Sequence, residues 1–223
     1  MYHRHLLTLL GLGLIAIGLL ERGWLLPFVW LGCDFFTLGI AHAIGAHRIF
    51  GKRQDGTLPL WSWVVFLPLL IFTAAVWRAA RLLSREPAQN LVMNDLVVGR
   101  RLLPGEPDGE FANYVDLTAE FSEPRAIRRS GAYQCFPILD GAAPDPKSLR
   151  QAITRLRPGR TFIHCAQGHG RTGLFALAIL LKSGTVRTVN EGLAKLKSVR
   201  PGITLTSVQR RCIERFAADL HET

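Results

Sequence analysis

Paired cysteines are missing from this sequence, so it has neither the short-spaced pairs that hold zinc nor an evident disulfide framework. The four cysteines are Cys33, Cys135, Cys165 and Cys212. Cys33 lies in an apolar run, and Cys135 and Cys212 have apolar neighbours, which is typical of packed free thiols. We therefore expect a reducing compartment, no bound metal and no cofactor. Only Cys165 has unusual surroundings.

Nucleic-acid-binding patterns of the zinc-finger, helix–turn–helix or RNP type are also absent, although the chain is basic. It carries 27 Lys and Arg against 17 Asp and Glu, a formal net charge of +10. It is also 48% hydrophobic, which excludes a disordered chain. We expect the positive charge to face the anionic cytoplasmic surface of a membrane rather than a nucleic acid.

Long apolar runs are confined to residues 1–83, which a polar linker at 84–90 separates from the rest. The runs are Leu6–Leu20, Trp24–Ala46 and Leu58–Trp77. The first, with 15 residues, is short for a hydrocarbon core of about 30 Å, whereas the second, with 23, can span it. They are apolar on all sides and lack a small-residue cleavage site, which disfavours surface helices and a signal peptide. We expect a membrane region of two or three hydrophobic helices.

The third run allows two arrangements. Trp61, Trp63 and Trp77 near its ends resemble the aromatic belts of a spanning helix, and we slightly favour three spans because broken half-runs leave backbone groups in lipid. Pro68 and the basic residues on both sides favour a re-entrant segment, with loop 48–56 on the catalytic side. Both arrangements predict a multi-pass membrane protein with its carboxy-terminal domain in the cytoplasm.

Polar residues in and beside the second run need partners. Asp34 is costly in lipid and is expected to face another helix in a packing role. His42 and His47 are five positions apart, which does not place them on one helical face. We therefore favour interfacial histidines over a metal site.

Residues 91–223 alternate short β-like runs with helical stretches, which predicts an α/β layer fold. The strand candidates are 96–98, 114–118, 133–138 and 161–164. The helix candidates are 123–130, 147–156, 171–182, 188–199 and a last helix capped by Thr206. No internal repeat is present.

The segment His164–Gly173, HCAQGHGRTG, ends a β-run in a cysteine and continues through a glycine-bearing loop into an apolar helix. Amides of such a loop, with the helix N-terminus, form an anion cradle. Gly168 and Gly170 permit positive φ and close approach of an oxyanion. Arg171 can present a planar pair of donors to phosphate oxygens. A Walker-type nucleotide loop is excluded because no lysine is present.

The same positive field favours a thiolate at Cys165, which would then be ionised and nucleophilic at neutral pH. Thr172 can donate its hydroxyl to that sulfur. A merely packed cysteine before a glycine turn would explain the glycines but neither the arginine nor the His164–Cys165 pair. A functional site is therefore favoured.

The segment resembles the HCxxGxxR[ST] signature of the protein-tyrosine-phosphatase superfamily at every fixed position. VDLTAE (Val115–Glu120), FPILD (Phe136–Asp140) and RPGI (Arg200–Ile203) resemble its dual-specificity branch. The resemblance covers about residues 90–220. It implies a central, mainly parallel sheet flanked by helices, here preceded by an all-helical transmembrane region. It also implies phosphoryl transfer through a phosphocysteine at Cys165.

By the same resemblance, Asp140 is the general acid for the leaving oxygen. Asp145 is its rival, although it fits a helix start better, and Asp116 is expected to be structural. His164 would help set the environment of the thiolate. Gln209 would place the attacking water only by loose analogy, and a solvated helix residue is an equal alternative. The predicted phosphate-binding residues are Ala166, Gln167, Gly168, His169, Gly170 and Arg171.

The substrate follows less directly from the sequence. The variable loop positions are Ala166, Gln167 and His169, of which only His169 can add charge. We expect phosphotyrosine, phosphoserine or phosphothreonine proteins as substrates. A phospholipid phosphatase acting on phosphatidylglycerophosphate or a phosphoinositide is the alternative, because an anchor raises the local concentration of lipid head groups. A third interpretation, an inactive phosphate-binding adaptor, is disfavoured by the intact Cys165, Arg171 and Asp140.

Overall fold

Five strands form one sheet in the order β1-β2-β5-β3-β4 in the computed structural model, which describes residues 2–21, 23–106, 109–129 and 132–221. The strands are β1 (Gln89–Met93), β2 (Leu96–Arg100), β3 (Asn113–Thr118), β4 (Tyr133–Ile138) and β5 (Thr161–Cys165). β1 pairs with β2 in the antiparallel sense, and the other three pairings are parallel. The predicted mainly parallel sheet is therefore confirmed.

Successive residues of the central strands supply the two faces of this sheet. Val98, Val115 and Ile163 belong to the main hydrophobic core, whereas their neighbours Val97 and Phe162 belong to a smaller cluster. This alternation follows from the two-residue period of a strand. β3 and β5 are buried along their whole length, as expected for central parallel strands covered by helices.

The helices of this part are close to their predicted bounds. They are α5 (Arg125–Arg128), α6 (Pro146–Thr154), α7 (Gly170–Lys182), α8 (Val189–Val199) and α9 (Ser207–His221). α6, α7 and α8 begin and end within two residues of the prediction. α5 is shorter than the predicted 123–130, and Ser130 lies outside the described residues. Thr206 accepts a hydrogen bond from the amide of Gln209 and caps α9, as predicted.

Strand β1 was not predicted, and it begins inside the expected linker. Its sequence, QNLVM, lacks the alternation of apolar and polar residues that predicts a strand. In the fold its residues are mostly half-buried or exposed. It is an edge strand held by β2, with Gln89 opposite Gly99. The domain boundary at residue 91 remains a prediction.

Two long apolar helices precede the sheet. α1 (Tyr2–Glu21) and α2 (Leu26–Ile44) are joined by a short 3₁₀ turn, Gly23–Leu25. They pack backbone to backbone: a Cβ on Gly11 would lie 2.7 Å from the carbonyl oxygen of Gly32. Small residues at helix contacts are typical of membranes. Among the described residues one helix, Gly23–Ile44, is long and apolar enough to cross a membrane, with 22 residues and a mean hydropathy of 1.6.

The third apolar run is broken into α3 (Leu60–Val65) and α4 (Leu67–Leu83). The break lies next to Pro68, which occupies the first turn of α4 where its missing N–H costs least. Asp34 of α2 is buried and accepts a hydrogen bond from the amide of Leu69 at 3.3 Å. It therefore meets another helix, at an amide that the helix itself leaves unpaired.

Both flanks of this run contact the part of the chain that carries the sheet, which argues against the preferred three spans. Before the run, Lys52 Nζ lies 2.6 Å from Asp116 Oδ2. Towards its end, Trp77 Nε1 donates to the carbonyl of Ala166 at 3.1 Å. Three spans would put loop 48–56 across the membrane from Asp116. Trp77 is 5% exposed, so it is not a membrane-interface belt residue as the sequence suggested.

Candidate active site

Cys165 occupies the last position of the central strand β5, and its side chain is buried. β5 lies between β2 and β3, and both neighbours run parallel to it. Ligands of open parallel sheets bind outside the carboxyl ends of such strands. The fold thus places the sulfur where the sequence predicted a nucleophile.

The loop after Cys165 turns its carbonyl groups outward. Four successive carbonyls accept hydrogen bonds from donors outside the loop. The pairs are Arg101 N to Cys165 O at 2.8 Å, Trp77 Nε1 to Ala166 O at 3.1 Å, Arg200 Nη2 to Gln167 O at 2.8 Å, and Arg200 Nε to Gly168 O at 2.9 Å. In a planar trans peptide the N–H points away from the C=O. The following amides therefore face the opposite side and form an anion cradle.

The two loop glycines serve different needs. Gly168 has φ +76°, and a Cβ there would lie 2.4 Å from the backbone carbonyl of Gly99. Glycine is required at this position, as predicted. Gly170 opens α7 without a positive φ, so that part of the prediction is wrong. A Cβ on Gly170 would instead lie 2.9 Å from Gln209 Oε1.

Arg171 is buried in the first turn of α7, and a carboxylate holds its guanidinium. Nη1 and Nη2 donate to the two oxygens of Glu120 at 2.9 and 2.8 Å. Nη1 also donates to the carbonyl of Ile138 at 3.0 Å. Nε is buried and makes no hydrogen bond to any described residue, so it is available for an oxyanion. Glu120 was quoted in VDLTAE, but its role was missed.

Asp140 and Asp145 have different partners, which distinguishes their roles. Asp140 follows β4, its side chain is 86% exposed, and Oδ1 lies 3.2 Å from Arg171 Nη2. Asp145 caps α6 by accepting a hydrogen bond from the amide of Ser148 at 3.1 Å. The structure therefore brings Asp140 to the arginine and engages Asp145 at a helix start, where the sequence placed it.

Gln209 is not the solvated helix residue that was one of its two interpretations, because it is 1% exposed. Its Nε2 donates to the carbonyl of Ala142 at 3.0 Å, and its Oε1 accepts from the amide of Thr206 at 3.0 Å. Gln209 thereby ties α9 to the loop that carries Asp140, beside Gly170.

His164 is fully buried behind Cys165, and burial lowers its pKa to about 4 despite the nearby charge of Asp116. The ring is therefore neutral at physiological pH. It stacks against Phe162 at 5.6 Å between ring centroids and contacts Tyr114 at 5.0 Å. The hydroxyl of Thr172 is buried and bonds to no described residue, so its predicted hydrogen bond to the sulfur is not formed here.

His169 does not stand free over the cradle. Its Nε2 lies 2.6 Å from Glu86 Oε2, and Glu86 also accepts the amide of Gly202 at 2.8 Å and lies 3.3 Å from Arg200. Glu86 comes from the stretch predicted as a linker. It engages the one variable loop position that the sequence expected to add charge.

A buried cluster of charges lies beneath the site. Asp116, Glu123 and His164 bring one ligand-type atom each within 4.8 Å of the others. Lys52 already neutralises Asp116, and Arg101 donates to Glu123 at 2.9 Å. Burial, with the charge of Asp116, raises the pKa of Glu123 to about 7. We do not propose a metal here because side-chain cations already pair with both carboxylates.

A mainly parallel sheet whose central strand ends in a cysteine, followed by a cradle and a helix with an arginine in its first turn, is the fold of the tyrosine and dual-specificity phosphatases. No protein-family model and no curated protein sequence matches the chain. Many solved structures match it.

Three solved structures illustrate the likeness. Tk-PTP in the active form is 21% identical with a TM-score of 0.50, over 59% of this chain and 97% of its own. PTPMT1 in complex with PI(5)P is 10% identical with a TM-score of 0.51, over 61% and 98%. Human DUSP28 is 16% identical with a TM-score of 0.54, over 60% and 96%. At these identities the likeness concerns the fold alone.

Proposed function

We propose that the protein is a membrane-attached phosphatase that hydrolyses phosphate monoesters through a phosphocysteine intermediate. The observation that supports this proposal most directly is that Cys165 and Arg171 lie around the same anion cradle. The amides of the loop face inward, and the buried Nε of Arg171 has no protein partner among the described residues. A dianionic phosphate supplies the acceptors that these donors lack.

In the first step, Cys165 Sγ attacks phosphorus while the bond from phosphorus to the ester oxygen breaks. The cradle and Arg171 stabilise the charge that spreads over the equatorial oxygens. Asp140 gives its proton to the leaving oxygen, which departs as an alcohol. Its position, 3.2 Å from the guanidinium and at the end of β4, supports this role.

In the second step, water attacks the phosphocysteine and the sulfur–phosphorus bond breaks. Asp140 takes one proton from that water, and inorganic phosphate leaves. Gln209 is the group we assign to orienting the water, because its amide lies beside Gly170 at the start of α7. The neutral ring of His164 keeps the surroundings of the sulfur dry, since both are buried.

We further propose a multi-pass attachment in which the α1–α2 hairpin inserts in the membrane and the catalytic part lies in the cytoplasm. Arg48 and Arg53 precede the third run, and Arg78, Arg81 and Arg85 follow it. With both flanks against the phosphatase-like part, these basic residues lie on one side, as cytoplasmic residues do. A nucleophilic cysteine also needs a reducing compartment.

The substrate is a phosphorylated molecule, and the neighbours support both predicted classes. One carries the name of a dual-specificity phosphatase, and another was crystallised with PI(5)P. Phosphoproteins therefore remain a candidate beside phospholipids. The inactive adaptor is not favoured, because a cysteine at the end of β5 and an exposed carboxylate, Asp140, accompany the arginine, and phosphate binding alone needs neither.

The test compares Cys165→Ser with Cys212→Ser in the full chain. Cys212 is a buried thiol on α9 that donates to the carbonyl of Pro144, and burial raises its pKa to about 11. We expect Cys165→Ser to abolish release of phosphate from an aryl phosphate while tungstate still binds, and Cys212→Ser to remain active. Turnover by Cys165→Ser within tenfold of the wild type would overturn the proposal. Oxyanion binding without turnover by the wild type would identify an adaptor.

A further inference from the structure

A cavity of about 270 Å³ lies between the apolar helices and the catalytic loop. Its polar end is formed by Asp140, Gln167 and Arg171, with Glu120 beside them. Most of the remaining wall is apolar and comes from α1, α2 and α4. Representative wall residues are Leu7, Phe35, Leu38, Phe72, Val76 and Trp77, and the helices add the polar side chains His42 and Thr73.

The apolar wall is fixed to the cradle by Trp77. Its indole N–H donates to the carbonyl of Ala166, and its ring lies 5.1 Å from the guanidinium of Arg101 and 5.7 Å from the ring of Phe121. Phe121 and Ala166 themselves line the cavity. The wall and the phosphate-binding loop therefore hold a constant relative position, as a binding site for one elongated ligand requires.

The same wall reaches the exposed apolar surface of the helices. Phe72 and Val76 line the cavity and are nevertheless 46% and 50% exposed. Their neighbour Ile71 is exposed as well, on the outside of α4. Since α2, which supplies Phe35 and Leu38, is long enough to cross a bilayer, a ligand can reach the cavity sideways from the membrane.

We propose that the substrate is a lipid phosphate monoester whose acyl chain begins in this cavity while its phosphate sits in the cradle. This inference rests on the proposed function, because it uses the same cradle. Water and the lipid phosphate give inorganic phosphate and the lipid alcohol by the two steps above. The volume is near the lower end for ligand sites, about 300 Å³, so the cavity accepts the part of the lipid next to the head group.

A phosphoprotein fits this wall poorly. The peptide groups on either side of a phosphorylated residue would enter with it, and a buried peptide group without a hydrogen-bond partner is costly. Arg171 is the single arginine or lysine among the described residues that line the cavity, and it serves the phosphate. The apolar wall instead stabilises methylene groups, each of which gains about fourfold in affinity on burial.

The test measures kcat/KM for a series of alkyl phosphates from ethyl to octyl, with full-length protein in detergent. para-Nitrophenyl phosphate reports the chemistry, and a phosphotyrosyl peptide represents the competing substrate class. We expect kcat/KM to rise about fourfold for each methylene that enters the cavity, and then to level off. The octyl ester should exceed the ethyl ester by at least a hundredfold and should also exceed the peptide.

Two wall variants separate the cavity from a general preference for detergent-bound substrates. Thr73→Phe on α4 and Leu38→Phe on α2 each fill part of the volume, so each should reduce the octyl-to-ethyl ratio at least tenfold. Ile71→Phe, on the outside of α4, is the matched control and should retain the wild-type ratio. Two wall positions are used so that the misfolding of one variant does not end the experiment.

The outcomes separate the two proposals. Hydrolysis of the aryl phosphate with equal kcat/KM across the alkyl series overturns the lipid inference and leaves the phosphatase intact. A peptide more than tenfold better than the octyl ester does the same and assigns a phosphoprotein substrate. An unchanged ratio in both wall variants places the preference outside the cavity. Failure to hydrolyse any substrate, the aryl phosphate included, overturns the proposed function itself.

Discussion

At the scale of the residue, the guanidinium of Arg171 is oriented before a substrate arrives. Both oxygens of Glu120 accept hydrogen bonds from it, and the carbonyl of Ile138 accepts a third. A planar fork that is already held loses little further freedom when its remaining donor meets phosphate. Glu120 is therefore a positioning residue for the arginine.

Glu120→Gln is expected to lower kcat/KM for an aryl phosphate by about tenfold to a hundredfold, because Arg171 loses the charge and one acceptor that orient it. Tungstate affinity should fall with it. The matched control is Glu214→Gln, whose carboxylate pairs with Arg210 on the exposed face of α9. Steady-state kinetics check this, and a wild-type kcat/KM for Glu120→Gln would contradict it.

Asp140→Ala and Asp145→Ala should have different effects. Loss of the acid at Asp140 should slow alkyl phosphates by a hundredfold or more, and activated aryl phosphates far less, since only poor leaving groups need the proton. Asp145→Ala removes the cap of α6 and should lower the free energy of unfolding by about 1 kcal/mol without this leaving-group dependence. Steady-state kinetics with both esters and thermal unfolding measure these effects. A larger loss of kcat/KM in Asp145→Ala than in Asp140→Ala would assign the general acid to Asp145.

Cys165 and Arg171 could be predicted because a local segment holds both, together with the glycine that the turn requires. Glu120 could not be assigned, since its partner lies 51 positions further along the chain and only the sheet brings them together. Glu86 was missed for the same reason, because a polar linker gives no sign that its carboxylate meets His169.

At the scale of the element, the third apolar run shows which structural features a local sequence pattern can predict and which it cannot. The break beside Pro68 could be predicted, because proline cannot donate the helical hydrogen bond. The docking of its flanks could not, because Lys52 is a basic loop residue in the sequence and a buried partner of Asp116 in the fold. Aromatic belts suggested a span, whereas Trp77 contacts the catalytic loop.

Cysteine labelling tests the side on which loop 48–56 lies. We expect Gln54→Cys and Glu214→Cys to be protected from an impermeant reagent in intact cells and labelled after permeabilisation, because both positions are exposed in the fold and lie on the catalytic side. Labelling at position 54 alone would restore three spans. Labelling at position 214 in intact cells would remove the catalytic part from the cytoplasm.

At the scale of the whole molecule, the apolar helices α1 to α4 and the phosphatase-like part share one hydrophobic core. Phe35, Leu69 and Leu70 from the apolar helices belong to the same cluster of buried residues as Leu139 and Phe175. The division at residues 84–90, drawn from composition, therefore does not separate two independent cores. Residues 84–223 alone should be less stable than the full chain.

Lys52→Met in the full chain should lower the free energy of unfolding by about 3–5 kcal/mol, because it leaves the carboxylate of Asp116 buried without its cation. Adding Asp116→Asn should recover part of this loss, since no charge then remains to be paired. Thermal and denaturant unfolding in detergent measure both variants. An unchanged stability for Lys52→Met would contradict the shared core, as would a fragment 84–223 as stable as the full chain.

Three residues that are distant in the chain donate hydrogen bonds to the carbonyls of the catalytic loop: Trp77, Arg101 and Arg200. During synthesis the first two leave the ribosome well before the loop, and Arg200 leaves after it. The nascent chain can pack its apolar helices and pair its sheet while the loop still lacks one of its three supports. The cradle is therefore fully supported only after Arg200 has been synthesised.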